Sequence, residues 1–388
     1  MNRKYDYATI LQMEKTWNIV KKILIIFILS RIVLFSVGVI SNTYIQPLKS
    51  GISYEIVESS GMNLTLQRMW FHFDSFLYTN IAQNGYPQSE YSLDKYNIFG
   101  MLPFYPIIIG ILGKIVLFGN YQLAGLLISN ICLIFSAYYL FRISEKMYNR
   151  DVAMKSIILL FAFPFSFVFS GIFSESLFLF LVLFSYWSFI NNSYKKSSIS
   201  LALACITKPI GILFILPIIH LLYKKYSFRR DFFKHLSKYS LVPLSLILLG
   251  IFYYFRTGDF FAYSTVQNTA FYHSWSNPFH TIASALFNSN PAYIINSSYI
   301  LFIIGIIATL RKHIPQSLAI LSLLLILFAP TTGFVVDSFR YSAVIFPLYI
   351  MVANYAKDEY RFAFIVSLFS IIQGALMVFW VGNFWFVS

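Results

Sequence analysis

PFYPIIIGILGKIVLF, residues 103–118, decides how this chain is threaded. The run is apolar enough to cross a membrane, and whether it crosses sets the side on which everything after it falls. The membrane itself follows from composition: the 388 residues are 58% hydrophobic and 11% charged, with a mean hydropathy of +0.68. A soluble chain of this length could not hide so much apolar surface, so the sequence reads as an all-α polytopic membrane protein. Other apolar runs occupy 23–40, 121–141, 153–172, 174–191, 209–223, 239–255, 294–310, 315–332, 339–355 and 361–380. With the shorter run 198–206 they make about eleven transmembrane helices. Pro209 is expected to break 198–223 into a hairpin of two short helices. The amino terminus is polar through Lys22 and shows no cleavable signal, so 23–40 is expected to stay as an anchor.

Charge then tests the threading. A formal net charge of +14 would point a soluble protein toward nucleic acid, but in a membrane protein basic residues mark the cytoplasmic side, and no nucleic-acid partner is expected. Suppose that the amino terminus is cytoplasmic and that 103–118 does not cross. Segments 1–22, 142–155, 192–198, 224–238, 311–314 and 356–361 then lie inside and hold 21 of the 29 Lys and Arg but only 7 of the 15 Asp and Glu. If 103–118 crossed, the clusters around Arg142, Lys195 and Lys196 would move outside. The run is therefore expected to be an amphipathic helix at the outer interface, with Lys114 reaching toward headgroups. The chain reads as one domain, 1–388, with a long first external loop, 41–120, containing interfacial helices and a second, 256–293. Cys132 and Cys205 fall in apolar runs, so no disulfide framework is expected.

On this threading the polar residues suited to chemistry fall on one side. The first loop carries His72, Asp74, Asn84 and Tyr105; the turn at 173–176 carries Glu175; the break at 207–209 carries Lys208; the second loop carries Asp259, Gln267 and Trp275; and the last wide turn carries Asp337 and Arg340. Ionisable groups near membrane depth are costly and tend to face cavities or partners. Two carboxylates and two fixed cations around one cavity suit a lipid-borne phosphate and an acceptor hydroxyl. Each residue also has a local reading. Asp74 opens DSFLYTNIAQNG as an N-cap of a helix of about two turns, stopped by Asn84 and Gly85 before Pro87. Arg340 pairs with Asp337 three residues earlier, Lys208 snorkels from a broken helix, Glu175 caps the span 174–191, and Gln267 holds a loop.

The chain contains no Gly-rich phosphate loop, Cys/His cluster or HExxH pattern, so neither nucleotide binding nor a metal is inferred and no cofactor is expected. A divalent ion between Asp74 and Glu175 is conceivable from residue type, with no spacing to direct it. Asn63 and Asn296 begin glycosylation triplets on the outer side of this threading, and such triplets are common by chance.

The ordered set of motifs resembles a known family. WFHFDSFLYTNIAQNGYP at 70–87 resembles the RWD…IAxxGY element of the PIG-V family, the GPI mannosyltransferase II-like proteins and their prokaryotic relatives among the GT-C glycosyltransferases. MLPFYP at 101–106, FPFSFVFSGIFSESLFLFL at 163–181, ITKPIGILF at 206–214, GDFFAYSTVQNTAFYHSW at 258–275 and FRYSAVIFPLY at 339–349 resemble further family elements in order. His72 stands where the family often has Arg, Phe73 where it has Trp, Phe173 for Tyr and Lys208 for Arg. The resemblance implies a GT-C-like fold and an inverting mannosyltransferase that takes its sugar from a dolichyl or other polyprenyl phosphate and passes it to a glycolipid or glycan acceptor. It implies Asp74 as general base, with Lys208, Arg340 and His72 at the lipid phosphate. Glu175 and Gln267 would orient hydroxyls, Tyr105 would belong to the substrate site, and Trp70 or Trp275 would stack on a sugar. The membrane is the cell membrane in a prokaryote or the endoplasmic reticulum in a eukaryote. Two other classes fit a polytopic chain with a charged cavity: a lipid or glycolipid transporter, for which internal repeats and midplane sites are expected, and a noncatalytic assembly subunit, which would tolerate loss of Asp74.

Overall fold

The computed structural model describes residues 7–44, 64–87, 97–382, 384 and 387. Asn63 and the loop stretches 45–63 and 88–96 lie outside the described residues. Among those described every regular element is a helix, and six helical segments are long and apolar enough to cross a membrane: Thr16–Tyr44, Tyr121–Met147, Pro209–Tyr226, Arg230–Thr257, Pro291–His313 and Glu359–Val381. The chain is a helical multi-pass membrane protein. Six of the expected spans lie in these segments.

The remaining expected spans are shorter or divided, and a proline lies at or near each division. Helix α1 (Tyr7–Tyr44) leads to α2 (Leu64–Trp70), α3 (Ser75–Asn84), α4 (Phe104–Ile115), α5 (Tyr121–Met147) and α6 (Arg150–Ala162). α6 stops just before Phe163-Pro164, because proline disfavours the helical conformation in the residue before it, and a 3₁₀ turn over Ser166–Ser170 completes what the hydropathy reads as one span. α7 (Glu175–Ile190) and α8 (Tyr194–Cys205) follow, then a break in which Lys208 is extended (φ −149°, ψ 131°), a 3₁₀ stretch at Pro209–Phe214 and α9 (Ile215–Tyr226). Pro209 divides the hairpin as expected. After α10 (Arg230–Leu236) and α11 (Leu241–Thr257) come the short α12 (Ala262–Thr269) and α13 (Pro278–Leu286), then α14 (Pro291–Leu310) and α15 (Gln316–Thr331). The expected span 339–355 is two helices, α16 (Ser338–Ala343) and α17 (Phe346–Tyr355), with Pro347 in the first turn of the second. α18 (Glu359–Val381) ends the described fold.

Burial sorts these helices. α7 and α17 are buried nearly all round, whereas α1, α11 and α18 expose rows of large apolar side chains such as Ile25, Leu29, Ile32, Leu244, Leu248 and Phe364, the surface expected to meet lipid. α4 has 12 residues, about 18 Å of helix against the ~30 Å hydrocarbon thickness. It exposes Ile107, Ile111 and Ile115 at four-residue intervals and buries Tyr105, Ile109 and Gly113. The run 103–118 is thus a short two-faced helix laid against α3 and α5. Trp380 of α18 is a hub elsewhere in the core: buried, packed on Phe165, Phe167 and Phe173, and donating from Nε1 to the Met69 carbonyl at 2.8 Å. Cys132 and Cys205 are free and buried.

Candidate functional site

The breaks between these helices bring charged residues together at one end of the bundle. The turn from α2 to α3 is tight, with Phe73 held at a φ of +45°, a conformation that L residues seldom adopt. Asp74 follows at the N-cap position of α3. Its own backbone is helical and its carboxylate makes no capping bond. The far end of α3 closes as the Asn-Gly pair predicts, with Gly85 at φ +73° donating its N–H to the Ile81 carbonyl at 2.8 Å. Released from capping, Asp74 Oδ2 accepts from Arg340 Nη2 at 2.9 Å.

Arg340 is the centre of the cluster. Its Nε donates at 3.0 Å to Glu175 Oε1, which also accepts from Lys208 Nζ at 2.8 Å. Its Nη1 lies 3.8 Å from Asp337 Oδ1, so the three-residue pairing read from sequence exists, but it is the longest of the three carboxylate contacts Arg340 makes. The guanidinium stands over the Phe173 ring and Lys208 Nζ over the Tyr341 ring, at 5.0 and 5.4 Å from the ring centres. Glu175 is fully buried as the first residue of α7, and its Oε2 has no hydrogen-bond partner among the described residues. Removing any one charge here would strand another in a poor solvent for ions.

A cavity of about 390 Å³ opens onto this cluster, lined by Asp74, Lys208, Asp337 and Arg340 together with Gln267, His273, Tyr263 and Tyr341. Gln267 Nε2 donates to the Gly100 carbonyl at 3.1 Å, which ties α12 to the loop before α4. His273 Nδ1 lies 3.0 Å from Thr332 Oγ1, and burial lowers the pKa of the ring. Burial has the opposite effect on the Asp337 carboxyl, raising its pKa against the pull of Arg340 and His273.

The sequence-derived site residues are therefore divided. Asp74, Lys208, Gln267 and Arg340 line the cavity, and Glu175 stands behind it holding both cations. His72 does not line it; its Nε2 contacts the Arg68 carbonyl and its ring packs edge-on against Trp380. Tyr105 is fully buried, with its hydroxyl 2.8 Å from Ser129 Oγ. Trp275 is 85% exposed and outside the lining, and Trp70 is buried. Asn296 is buried within α14 and donates to the Ala292 carbonyl at 3.0 Å, so its glycosylation triplet is inaccessible.

Three contributors carry no signal of their own in the sequence. His273, Tyr263 and Tyr341 also line the cavity, as does Asp337, which the sequence places beside Arg340 in the last wide turn. Arg31, within an expected anchor, instead donates from Nη1 to Ser170 Oγ at 2.8 Å and to the Ser166 carbonyl at 3.3 Å. It joins α1 to the 3₁₀ turn that precedes Glu175. Among the described residues no group of three or more His, Cys, Asp and Glu is arranged to hold a metal ion.

No protein-family model and no curated protein matches this chain.

Proposed function

We propose that the protein is an inverting glycosyltransferase, a mannosyltransferase by its resemblance, that moves a sugar from a polyprenyl or dolichyl phosphate to the hydroxyl of a lipid- or protein-linked acceptor. The observation that carries this reading is the Asp74–Arg340–Glu175–Lys208 chain at the floor of the cavity. It gathers residues from four of the six sequence elements on which the resemblance rests. In the reaction the acceptor oxygen forms a bond to the anomeric carbon as the bond from that carbon to the phosphate oxygen breaks. The bonding pair leaves on the polyprenyl phosphate, and the acceptor proton passes to the Asp74 carboxylate. Arg340 and Lys208 stabilise the growing phosphate charge, more strongly because the cavity walls exclude water. Glu175 positions both cations from behind.

This reading carries the finer topology with it: a GT-C-like arrangement of about eleven membrane passes, some made of short or broken helices, with the amino terminus in the cytoplasm. The cavity then faces the outside in a cell membrane or the lumen in the endoplasmic reticulum.

The test uses the full chain in nanodiscs with radiolabelled polyprenyl-phosphate mannose and an extract of candidate acceptor lipids. Wild type is expected to transfer label, and Asp74→Asn and Asp74→Ala to lose at least about a hundredfold in rate while remaining folded. Full rate in both variants would sink Asp74 as base; absence of transfer by wild type from any such donor would sink the enzyme reading.

A further inference from the structure

The opposite end of the bundle holds a second cavity, of about 750 Å³, between the ends of α14 and α17 and the start of α18. Lys312, His313, Lys357 and Arg361 stand at its mouth, and no carboxylate lines it. Lys312 and Lys357 make no salt bridge among the described residues, and Arg361 has only Asp358, at 4.0 Å. Two of the three cations therefore lack a protein counter-charge.

The turns that carry these cations are pinned through their backbones. Lys155 Nζ donates to the Lys357 carbonyl at 3.0 Å, and Tyr148 Oη and Asn354 Nδ2 both donate to the His313 carbonyl at 2.8 Å. Below the mouth the lining turns apolar. Ile306, Val352 and Phe369 form an apolar wall of this cavity, and behind them lies only a narrow apolar pocket of about 10 Å³ against Leu159 and Phe163. Cations beside an apolar wall in one cavity are complementary to one amphipathic ligand.

We propose that this is a binding site for an anionic membrane phospholipid, its phosphate held by Lys312, Lys357 and Arg361 and an acyl chain lying against Ile306, Val352 and Phe369. A juxtamembrane basic cluster attracts acidic headgroups in any case. The structure adds a fixed cavity and a place for the chain, which turns diffuse attraction into a site. The inference does not depend on the reaction at the other end.

The test compares retention of phosphatidylglycerol and phosphatidylcholine by the full chain, exchanged from mixed nanodiscs and counted by native mass spectrometry. Wild type is expected to hold one phosphatidylglycerol against excess phosphatidylcholine. At about fivefold in affinity per cation, K312Q/K357Q/R361Q is expected to bind about a hundredfold more weakly. K224Q/K225Q, a comparable charge loss in the basic segment 224–238, is expected to bind like wild type. Ile306→Trp, which crowds the apolar wall of the cavity and leaves every charge in place, is expected to weaken binding at least tenfold. Inorganic phosphate alone is expected neither to compete at millimolar concentration nor to raise the unfolding temperature. Equal losses in K224Q/K225Q and the triple variant would overturn the site in favour of general surface attraction. Competition by free phosphate, or unchanged retention in Ile306→Trp, would overturn the chain-binding half.

Discussion

The two ends of the bundle use charge in opposite ways. At the end carrying segments 142–155, 311–314 and 356–361, the ion pairs are local and at least partly exposed: Arg142 with Glu145 at 3.9 Å, Lys155 with Asp151 at 2.8 Å and Arg361 with Asp358 at 4.0 Å, each three or four residues apart. At the cavity end the close pairs link residues 33, 165 and 266 positions apart, and they are buried or nearly so. Helix α7 measures the distance between the two regimes. Glu175 opens it in the cluster, and Lys146 binds the carbonyl of Ile190 at its other end, about 24 Å away for 16 residues. Local pairs hold whatever the tertiary structure, whereas the distant ones exist only if four breaks in the chain arrive at one place. Charge at the first end is satisfied locally; charge at the second ties distant parts of the fold together.

The strongest way to break this contrast is Glu175→Ala, which strands Lys208 and Arg340 without their shared partner. It is expected to cost about 3–5 kcal/mol, seen as a large drop in unfolding temperature in detergent, because a buried charge is left uncompensated. A loss no larger than that of a surface variant would show that the cluster is well solvated and structurally idle. Arg340→Lys sharpens the point: ammonium can satisfy one carboxylate but not span Asp74 and Glu175 as the guanidinium does, so stability is expected to fall by about 1–3 kcal/mol and transfer activity with it.

Asp337→Asn separates charge from packing. Because burial raises the carboxyl above its ordinary 3.8, the folded state holds the proton more tightly than the unfolded chain, so this group costs stability as pH rises from that value through its folded pKa. Asp337→Asn is therefore expected to be more stable than wild type at pH 7 to 8, with the difference shrinking toward pH 4. An unfolding series across that range checks the sign, and a gain that grows on acidification would refute it. The smallest effect belongs to the opposite end, where a double-mutant cycle on Arg142 and Glu145 is expected to return a coupling of about 0–1 kcal/mol that salt weakens.

Much of the helix pattern was legible because it depends on neighbours. Pro209 marks where one helix stops and the next starts, and Gly85 ends α3, whereas Pro164 and Pro347 mark divisions that the apolar runs conceal. Hydropathy alone could not tell an intact span from a divided one, since burial in the protein and burial in lipid ask for the same apolar side chains. That is why 153–172 and 339–355 read as single passes. Within the site, the ionisable pair Asp74 and Arg340 stood out by sitting near membrane depth, but His72, Tyr105 and Trp275 carried the same sequence signal and lie elsewhere. Residue type names what a side chain can do, and only the direction in which the backbone presents it decides what it meets.

By itself, then, the sequence determined that this is a helical membrane protein and where its six long apolar helices run, since each follows from composition and spacing within a few turns. The tertiary structure alone decided that Arg340 stands between Asp74 and Glu175, that Glu175 sits behind the cavity wall, that Asp337 and His273 complete its rim, and that Arg31 braces the turn leading into it. Those relations join residues tens to hundreds of positions apart, and a helix carries information only about the residues one or two turns away.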